Sequence, residues 1–299
     1  MNGEAASIAK MRRTESNYTW NLWIAGLVVV GLLVVANGQP PVPVYPFQAL
    51  NWQWILDLPG QDPIAAGVQA AILPHDSISI KELTAFYRGL AAAVQPRFVV
   101  ILSPNHYDAG RANIQTTSRV FMTADGRAHP DWSLVGQLRA RGLAGSEGDS
   151  FTKEHGITAQ VEYAKRFFPE ARWLPLIFKS TATPAEVDAV MRWLEQTLPA
   201  NQTLVLASID FSHYLTKTRA DINDTKTYRQ IQTMDVNQLP TSDIECEFLD
   251  SPAALRAVVA YAHSRELNRL TLVRRDNTAD IRGEPNLVST TGHLYITFS

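Results

Sequence analysis

The sequence predicts an α/β fold: a mixed or mostly parallel sheet sandwiched by helices, preceded by an N-terminal membrane segment. Three observations predict it. From about Gly67 onward, short apolar runs alternate with stretches of helical periodicity, and strand–helix–strand in repetition implies a sheet covered on both faces. Hydrophobic residues make up 45% of the chain and charged residues 19%, which supports a sizeable core and argues against global disorder. One apolar run near the amino terminus, Leu22 to Ala36, stands outside that alternation.

In chain order, Lys10, Arg12 and Arg13 precede the apolar run, and Trp20 and Trp23 stand at its leading edge. Basic residues ahead of such a run predict a cytoplasmic tail over residues 1–19 and an exported remainder. Residues 20–37 then read as a transmembrane signal anchor or as a signal peptide cut after the small residues Val34 and Ala36. The domain is expected on the extracytoplasmic side, membrane-anchored, or secreted if the signal is cleaved. Residues 38–65 form a proline-rich linker whose core, Gln39 to Pro46, cannot be helix and should run extended. Trp52, Trp54, Ile55 and Leu56 either pack on the domain or lie at the membrane interface. The domain proper is expected over 66–299.

Within it the candidate strands are 68–73, 98–102, 173–178, 203–207, 270–273 and 293–298. Thr183-Pro184-Ala185-Glu186 reads as a capping box with proline at the first helical position. Val187, Val190, Met191, Leu194 and Leu198 then share one helical face. Ser251-Pro252 opens another helix, with Leu255, Val258, Val259 and Ala262 directed inward.

Formal net charge is −2, from 27 basic and 29 acidic residues. That near-balance argues against nucleic acid as a partner, which calls for a basic stripe. One cysteine, Cys246, cannot form an internal disulfide, so the fold is not a stapled secreted scaffold.

In open α/β sheets the chemistry gathers at the carboxyl ends of the strands. Polar residues directly after apolar strands are therefore the site candidates. Leu73-Pro74-His75-Asp76 closes the first strand, Ser103-Pro104-Asn105-His106 the next, and Ser208-Ile209-Asp210-Phe211-Ser212-His213-Tyr214 a later one. Asp243-Ile244-Glu245-Cys246 lies in the loop before the helix at Ser251, and Glu154-His155 begins an apparent helix. A lone histidine after a strand is ordinarily a hydrogen-bonded loop residue, whereas three at three strand ends beside the only cysteine suit Fe, Zn or Cu. His129, His263 and His293 lack such a context, and His263 complements a helix dipole. Ser208 and Ser212 stand near a histidine, but no Gly-x-Ser-x-Gly elbow is present.

The order of Pro74-His75, Ser103-Pro104-Asn105-His106, Glu154-His155, Asp210–Tyr214 and Ile244-Glu245-Cys246 resembles the MEMO family, whose bacterial and archaeal members are called AmmeMemoRadiSam system protein B. The resemblance runs from about Gly67 to the carboxy terminus. It implies a fold related to the class III extradiol dioxygenases and a metal held by two histidines and a cysteine: His75, His106 and Cys246. It further implies that His213 serves as acid/base and that Asp210 lines the site. Glu154, His155, Asp76 and Tyr214 belong to the pocket or its surroundings. The implied metal is Fe(II), with Cu or Zn as alternatives. This chain departs from the usual family motifs in reading Pro74-His75-Asp76-Ser77-Ile78 for Pro-His-Ala-Gly-Tyr. It also has Cys246-Glu247 for Cys-Gly, and Glu154-His155-Gly156-Ile157-Thr158 for Glu-His-Ser-Leu-Glu. Asp76, Glu245 and Glu247 thereby offer extra oxygen ligands.

The resulting functional expectation is a non-haem iron or copper redox enzyme of dioxygenase-like ancestry. Its partners would be the membrane, through the N-terminal helix, and a small molecule or peptide. The alternatives are a zinc-dependent hydrolase, in which bound water attacks a carbonyl or phosphoryl group, and a non-catalytic exported module that binds metal or peptide. A degenerate site, whose histidines merely hydrogen-bond to each other and to loop backbone, is the remaining possibility.

Overall fold

The structure is a computed structural model that describes Val42–Pro43 and residues 52–146, 148–242 and 246–299. The chain divides into the units Met1–Pro40 and Pro41–Ser299, and all that follows concerns the second. Its first half runs β1 (Val42–Pro43), α1 (Trp52–Asp57), β2 (Ala70–Leu73), α2 (Ile80–Ala93), β3 (Phe98–Pro104), β4 (Ile114–Thr116), β5 (Phe121–Thr123), β6 (Gly126–Ala128), α3 (Trp132–Ala140) and β7 (Gly145–Ser146). The second half runs α4 (His155–Phe167), β8 (Arg172–Phe178), α5 (Pro184–Thr197), β9 (Thr203–Ser208), α6 (Lys217–Gln232), α7 (Pro252–Ser264), β10 (Leu270–Asn277), α8 (Thr278–Arg282) and β11 (Gly292–Phe298).

Eight strands make one sheet in the order β10-β11-β2-β9-β3-β8-β4-β7. Its centre, β2-β9-β3-β8, is parallel throughout, while β11 and β4 join it antiparallel on either side. The architecture is thus a mixed α/β arrangement with a large, mostly parallel sheet flanked by helices. All six strands expected from the apolar runs are present, five with ends shifted by a residue or two and β10 running four residues further, to Asn277.

Successive side chains of a strand point to opposite faces, and the two cores divide on that rule. Ile72, Val100, Leu102, Leu174, Leu176, Val205 and Ile296 pack with residues of α3, α5 and α7. Ala71, Leu73, Val99, Ile101, Leu204, Leu206 and Tyr295 pack with α1, α2 and α4. Each fully buried Leu, Ile or Phe contributes roughly 1.5–3 kcal/mol over its exposed state, so the ends of the central strands are set on a rigid platform.

The helix starts read from sequence are present as built devices. Thr183 and Glu186 form the reciprocal capping box of α5, and Ser251 caps α7 by accepting from the Ala254 N–H. Residues assigned to the linker contribute to this unit: β1 pairs in parallel with β5, Ile55 of α1 is fully buried, and Asp62 is ion-paired with Arg274 at 2.6 Å.

The N-terminal membrane anchor is corrected. The run at 20–37 lies outside the described residues, and among the described residues no helix is long and apolar enough to cross a membrane. The longest of them, α6, has 16 residues and carries Lys217, Arg219, Asp221, Asp224, Lys226 and Arg229, whereas a span needs about 20 apolar ones. The transmembrane and signal-anchor assignment is withdrawn. So are the membrane as a partner and the extracytoplasmic or secreted location that followed from it.

Candidate metal centre

The ends of β2, β9 and β3 lie side by side, and they carry His75, Asp210 and His106. His75 follows Pro74 off β2 and is buried. Its backbone N–H donates to Asp210 Oδ1 at 2.9 Å. Its ring orientation follows from hydrogen-bond counting around Ser208. The Ser208 hydroxyl donates its one proton to the Gly156 carbonyl at 2.7 Å and accepts from Gln160 Nε2 at 3.2 Å. His75 Nδ1, 3.1 Å away, is therefore the donor of that pair. This leaves His75 Nε2 facing two carboxylates, with Asp250 Oδ2 at 3.1 Å and Asp210 Oδ2 at 3.4 Å.

His106 is held by the same logic. Glu154, wholly buried, is the N-cap of α4 and accepts from the Gly156 N–H. The same carboxylate accepts from the His106 backbone N–H at 2.9 Å and from His106 Nδ1 at 2.7 Å. His106 Nε2 is then turned toward Asp250 Oδ2, at 3.6 Å. A carboxylate or hydroxyl behind Nδ1 that fixes the tautomer and presents Nε2 is the usual support of a metal-binding histidine.

His155, first residue of α4, stacks on His106 with ring centroids 4.1 Å apart and meets the edge of His75 at 5.1 Å. Among the described residues, two groups have ligand atoms all within 4.8 Å of one another: His75–His106–His155 and His75–Asp210–Asp250. Asp250 links them through its contacts with both His75 and His106.

Electrostatics match a cation. Burial opposes charge on His106, but hydrogen bonds to Asp250 and Glu154 prevail and push it up to about 10. His75 is raised for the same reason, with Asp210 and Asp250 outweighing its burial. Asp250 is held well below the usual carboxylate range despite burial, because His75 and His106 face it. His155 goes the other way, down to about 3, through burial and then the charge of His75 and His106. The buried side-chain atoms without a hydrogen-bond partner include His75 Nε2, Asp250 Oδ1 and His213 Nδ1. Buried polar atoms of this kind are costly to leave unpaired, and the first two belong to side chains that face each other, with His75 Nε2 3.1 Å from Asp250 Oδ2. By that test the histidine and aspartate residues fit a metal.

The remaining expected residues fall in different places. Asp76 caps the short turn after β2 by accepting from the Ile78 N–H and contacts His293 Nε2 at 3.3 Å. Asp210 accepts from the backbone N–H groups of His75 and Asp76, and no hydrogen bond joins it to His213 among the described residues. The His213 backbone N–H donates to the Cys246 carbonyl at 2.9 Å. Tyr214 is left-handed at φ 58° and 75% exposed. Cys246, half-buried and also left-handed at φ 53°, lines a cavity of ≈ 190 Å³ together with His106 and Asp250. It belongs to neither close group of ligand atoms. Asp243, Ile244 and Glu245 lie outside the described residues, and Glu247 is ion-paired with Arg219 at 3.0 Å.

Two participants escaped the sequence reading. Asp250 ends a loop instead of a strand, so a search of strand exits passes over it; its signal was the helix start at Ser251-Pro252 immediately behind it. His293 opens β11, which runs antiparallel to β2, so its beginning and not its end reaches the site. There it is wholly buried and bonded to Asp276 at 2.8 Å. Burial opposes its charge, yet Asp276 and Asp76 push it up to about 10.

Fold and site together define an α/β protein with a buried histidine–carboxylate cluster suited to a metal ion. The chain belongs to the Memo-like protein family, which matches residues 54–244. A MEMO1 family protein of Caldivirga maquilingensis is 24% identical over 242 residues, covering 77% of this chain and 83% of the relative. One from Pyrobaculum arsenaticum is 30% identical over 132 residues, and that match spans about half of the relative's length, 46%. Among solved structures, an uncharacterized protein from Escherichia coli K12 aligns over 76% of this chain with a TM-score of 0.46 and 14% identity.

Proposed function

We propose that this protein is a metal-dependent redox enzyme of dioxygenase-like ancestry that binds Fe(II) at His75 and His106 and acts on a small molecule entering the adjoining cavity. The observation that carries the reading is the paired orientation of the two imidazoles. Each has Nδ1 committed to a buried acceptor, Ser208 or Glu154, and each directs Nε2 toward Asp250. Imidazole and carboxylate donors together suit Fe(II), with Zn and Cu as competitors. Bound there, the ion would supply redox and Lewis-acid chemistry toward a substrate in the cavity.

The chain's own groups do the rest. Asp210 positions His75 through its backbone N–H, and Glu154 fixes the tautomer of His106. His155, with its proton affinity strongly depressed, stays neutral and stacks on His106. His213, whose Nδ1 has no partner, is the group available to take or give a proton.

The test is the metal content of the full chain purified anaerobically, beside His75→Ala and His106→Ala. Near-stoichiometric iron in the native protein, lost in both variants, supports the reading. Zinc lost in the same pattern moves the assignment to a hydrolase. Metal indifferent to both substitutions sinks the site.

A further inference from the structure

We propose that the third protein donor of the metal centre is the carboxylate of Asp250 and not the thiolate of Cys246. The site then comprises two imidazoles and one carboxylate. This inference rests on the metal-centre reading above and assigns its ligand set.

The distances point to Asp250. Its Oδ2 lies 3.1 Å from His75 Nε2 and 3.6 Å from His106 Nε2. A divalent first-row ion sits about 2.0–2.2 Å from nitrogen and oxygen donors, so donors at right or tetrahedral angles stand roughly 3.0–3.5 Å apart. Both spacings are close to that range. The side chains of His75 and Asp250 are 1% and 2% exposed, yet His75 Nε2 and Asp250 Oδ1 have no hydrogen-bond partner. A cation held between His75 Nε2 and the Asp250 carboxylate would satisfy both groups in the interior.

The local fold fixes this carboxylate in place. The Asp250 N–H donates to the Asp210 carbonyl at 3.0 Å, and the Asp210 N–H donates back to Asp250 Oδ2 at 3.3 Å. Leu249 bridges to Phe211, and Ser251 caps α7 directly behind. Asp250 is thereby tied to the exit of β9, between the strands that carry His75 and His106. Cys246 stands four residues earlier on the cavity wall, and its carbonyl is committed to the His213 N–H. An oxygen donor in place of sulfur makes the site harder and moves its preference from Cu(I) toward Fe(II).

Cobalt distinguishes the two donors by spectrum, independently of turnover. The full chain is purified anaerobically, stripped of metal and titrated with Co(II). Thiolate bound to Co(II) gives an intense near-ultraviolet sulfur-to-metal charge-transfer band, which a carboxylate does not. The native protein is expected to bind Co(II) without that band, and Cys246→Ser to bind within about threefold of native. Asp250→Asn should bind at least about 100-fold more weakly, and Asp250→Cys should acquire the band. Melting curves of the metal-free variants report whether they fold. If Asp250→Asn does not fold, the native spectrum and the Cys246→Ser titration decide on their own. A band in the native protein that disappears in Cys246→Ser, with Asp250→Asn still binding, overturns the ligand assignment and leaves the metal centre standing. No Co(II) uptake by the native protein overturns both.

Discussion

Glu154→Gln is expected to weaken metal binding about 10–100-fold while leaving the fold in place. The substitution preserves shape but not acceptors. Glu154 Oε1 accepts from His106 Nδ1 and from the Gly156 N–H, and Oε2 accepts from the His106 backbone N–H. Glutamine has one acceptor oxygen, so its amino group must face one of these donors. If it faces the backbone N–H of His106, a buried donor is orphaned at a cost of about 1–3 kcal/mol. If it faces Nδ1, the imidazole must carry its proton on Nε2, and the lone pair aimed at Asp250 is lost. Glu154→Ala removes both acceptor oxygens from a wholly buried position, leaves all three donors unpaired, and should cost roughly 3–5 kcal/mol of stability as well. Metal titration of Glu154→Gln alongside melting of the stripped protein checks this. An unchanged affinity would show that His106 does not depend on its carboxylate.

Replacing Asp224 should remove a pH-dependent penalty of similar size, away from the cluster. Asp224 lies on α6 and is buried. Its Oδ1 accepts from the Ser212 N–H and hydroxyl, while Oδ2 has no partner. Oδ2 is pressed close to Gly292: a Cβ built there would stand 2.1 Å from it. Burial raises this carboxyl from 3.8 to about 6, against the pull of the Ser212 hydrogen bonds and Arg275. The folded state therefore holds a proton more tightly than the unfolded state. The associated stability is fully present below pH 4 and is lost as pH rises through about 6. A rise from 3.8 to about 6 corresponds to about 3 kcal/mol. Asp224→Asn does not titrate, so its stability relative to the native chain should improve by that amount between pH 4 and pH 7. Denaturant unfolding at both ends of the window measures the difference. A difference that stays constant with pH would mean that Asp224 is ionised as easily in the folded protein as in water.

The central strands were legible because they are buried on both faces, which gives continuous apolar runs such as Phe98–Leu102 and Thr203–Ala207 whatever surrounds them. The capping box at Thr183 and the Ser251-Pro252 start were legible because they are local devices, written in four consecutive residues. His75 and His106 were found by the rule that polar residues after a parallel strand face the site. The same rule missed His293, because β11 is antiparallel and reaches the site at its beginning, and it missed Asp250, which ends an irregular loop. The third ligand inferred from the family motif was Cys246. The loop that carries that cysteine also carries Asp250, and it is Asp250 that the bonds to β9 draw against the two imidazoles. The apolar run at 20–37 was read by length and hydropathy alone, and the helices of the described residues supply no membrane span.

The most direct test of a metal centre at His75 and His106 is an anomalous difference map, recorded at the iron edge from crystals of the anaerobically purified protein. One strong peak beside His75 Nε2, His106 Nε2 and the Asp250 carboxylate is the predicted result. A map with no peak there, or with iron bound only at some other place on the chain, would contradict it.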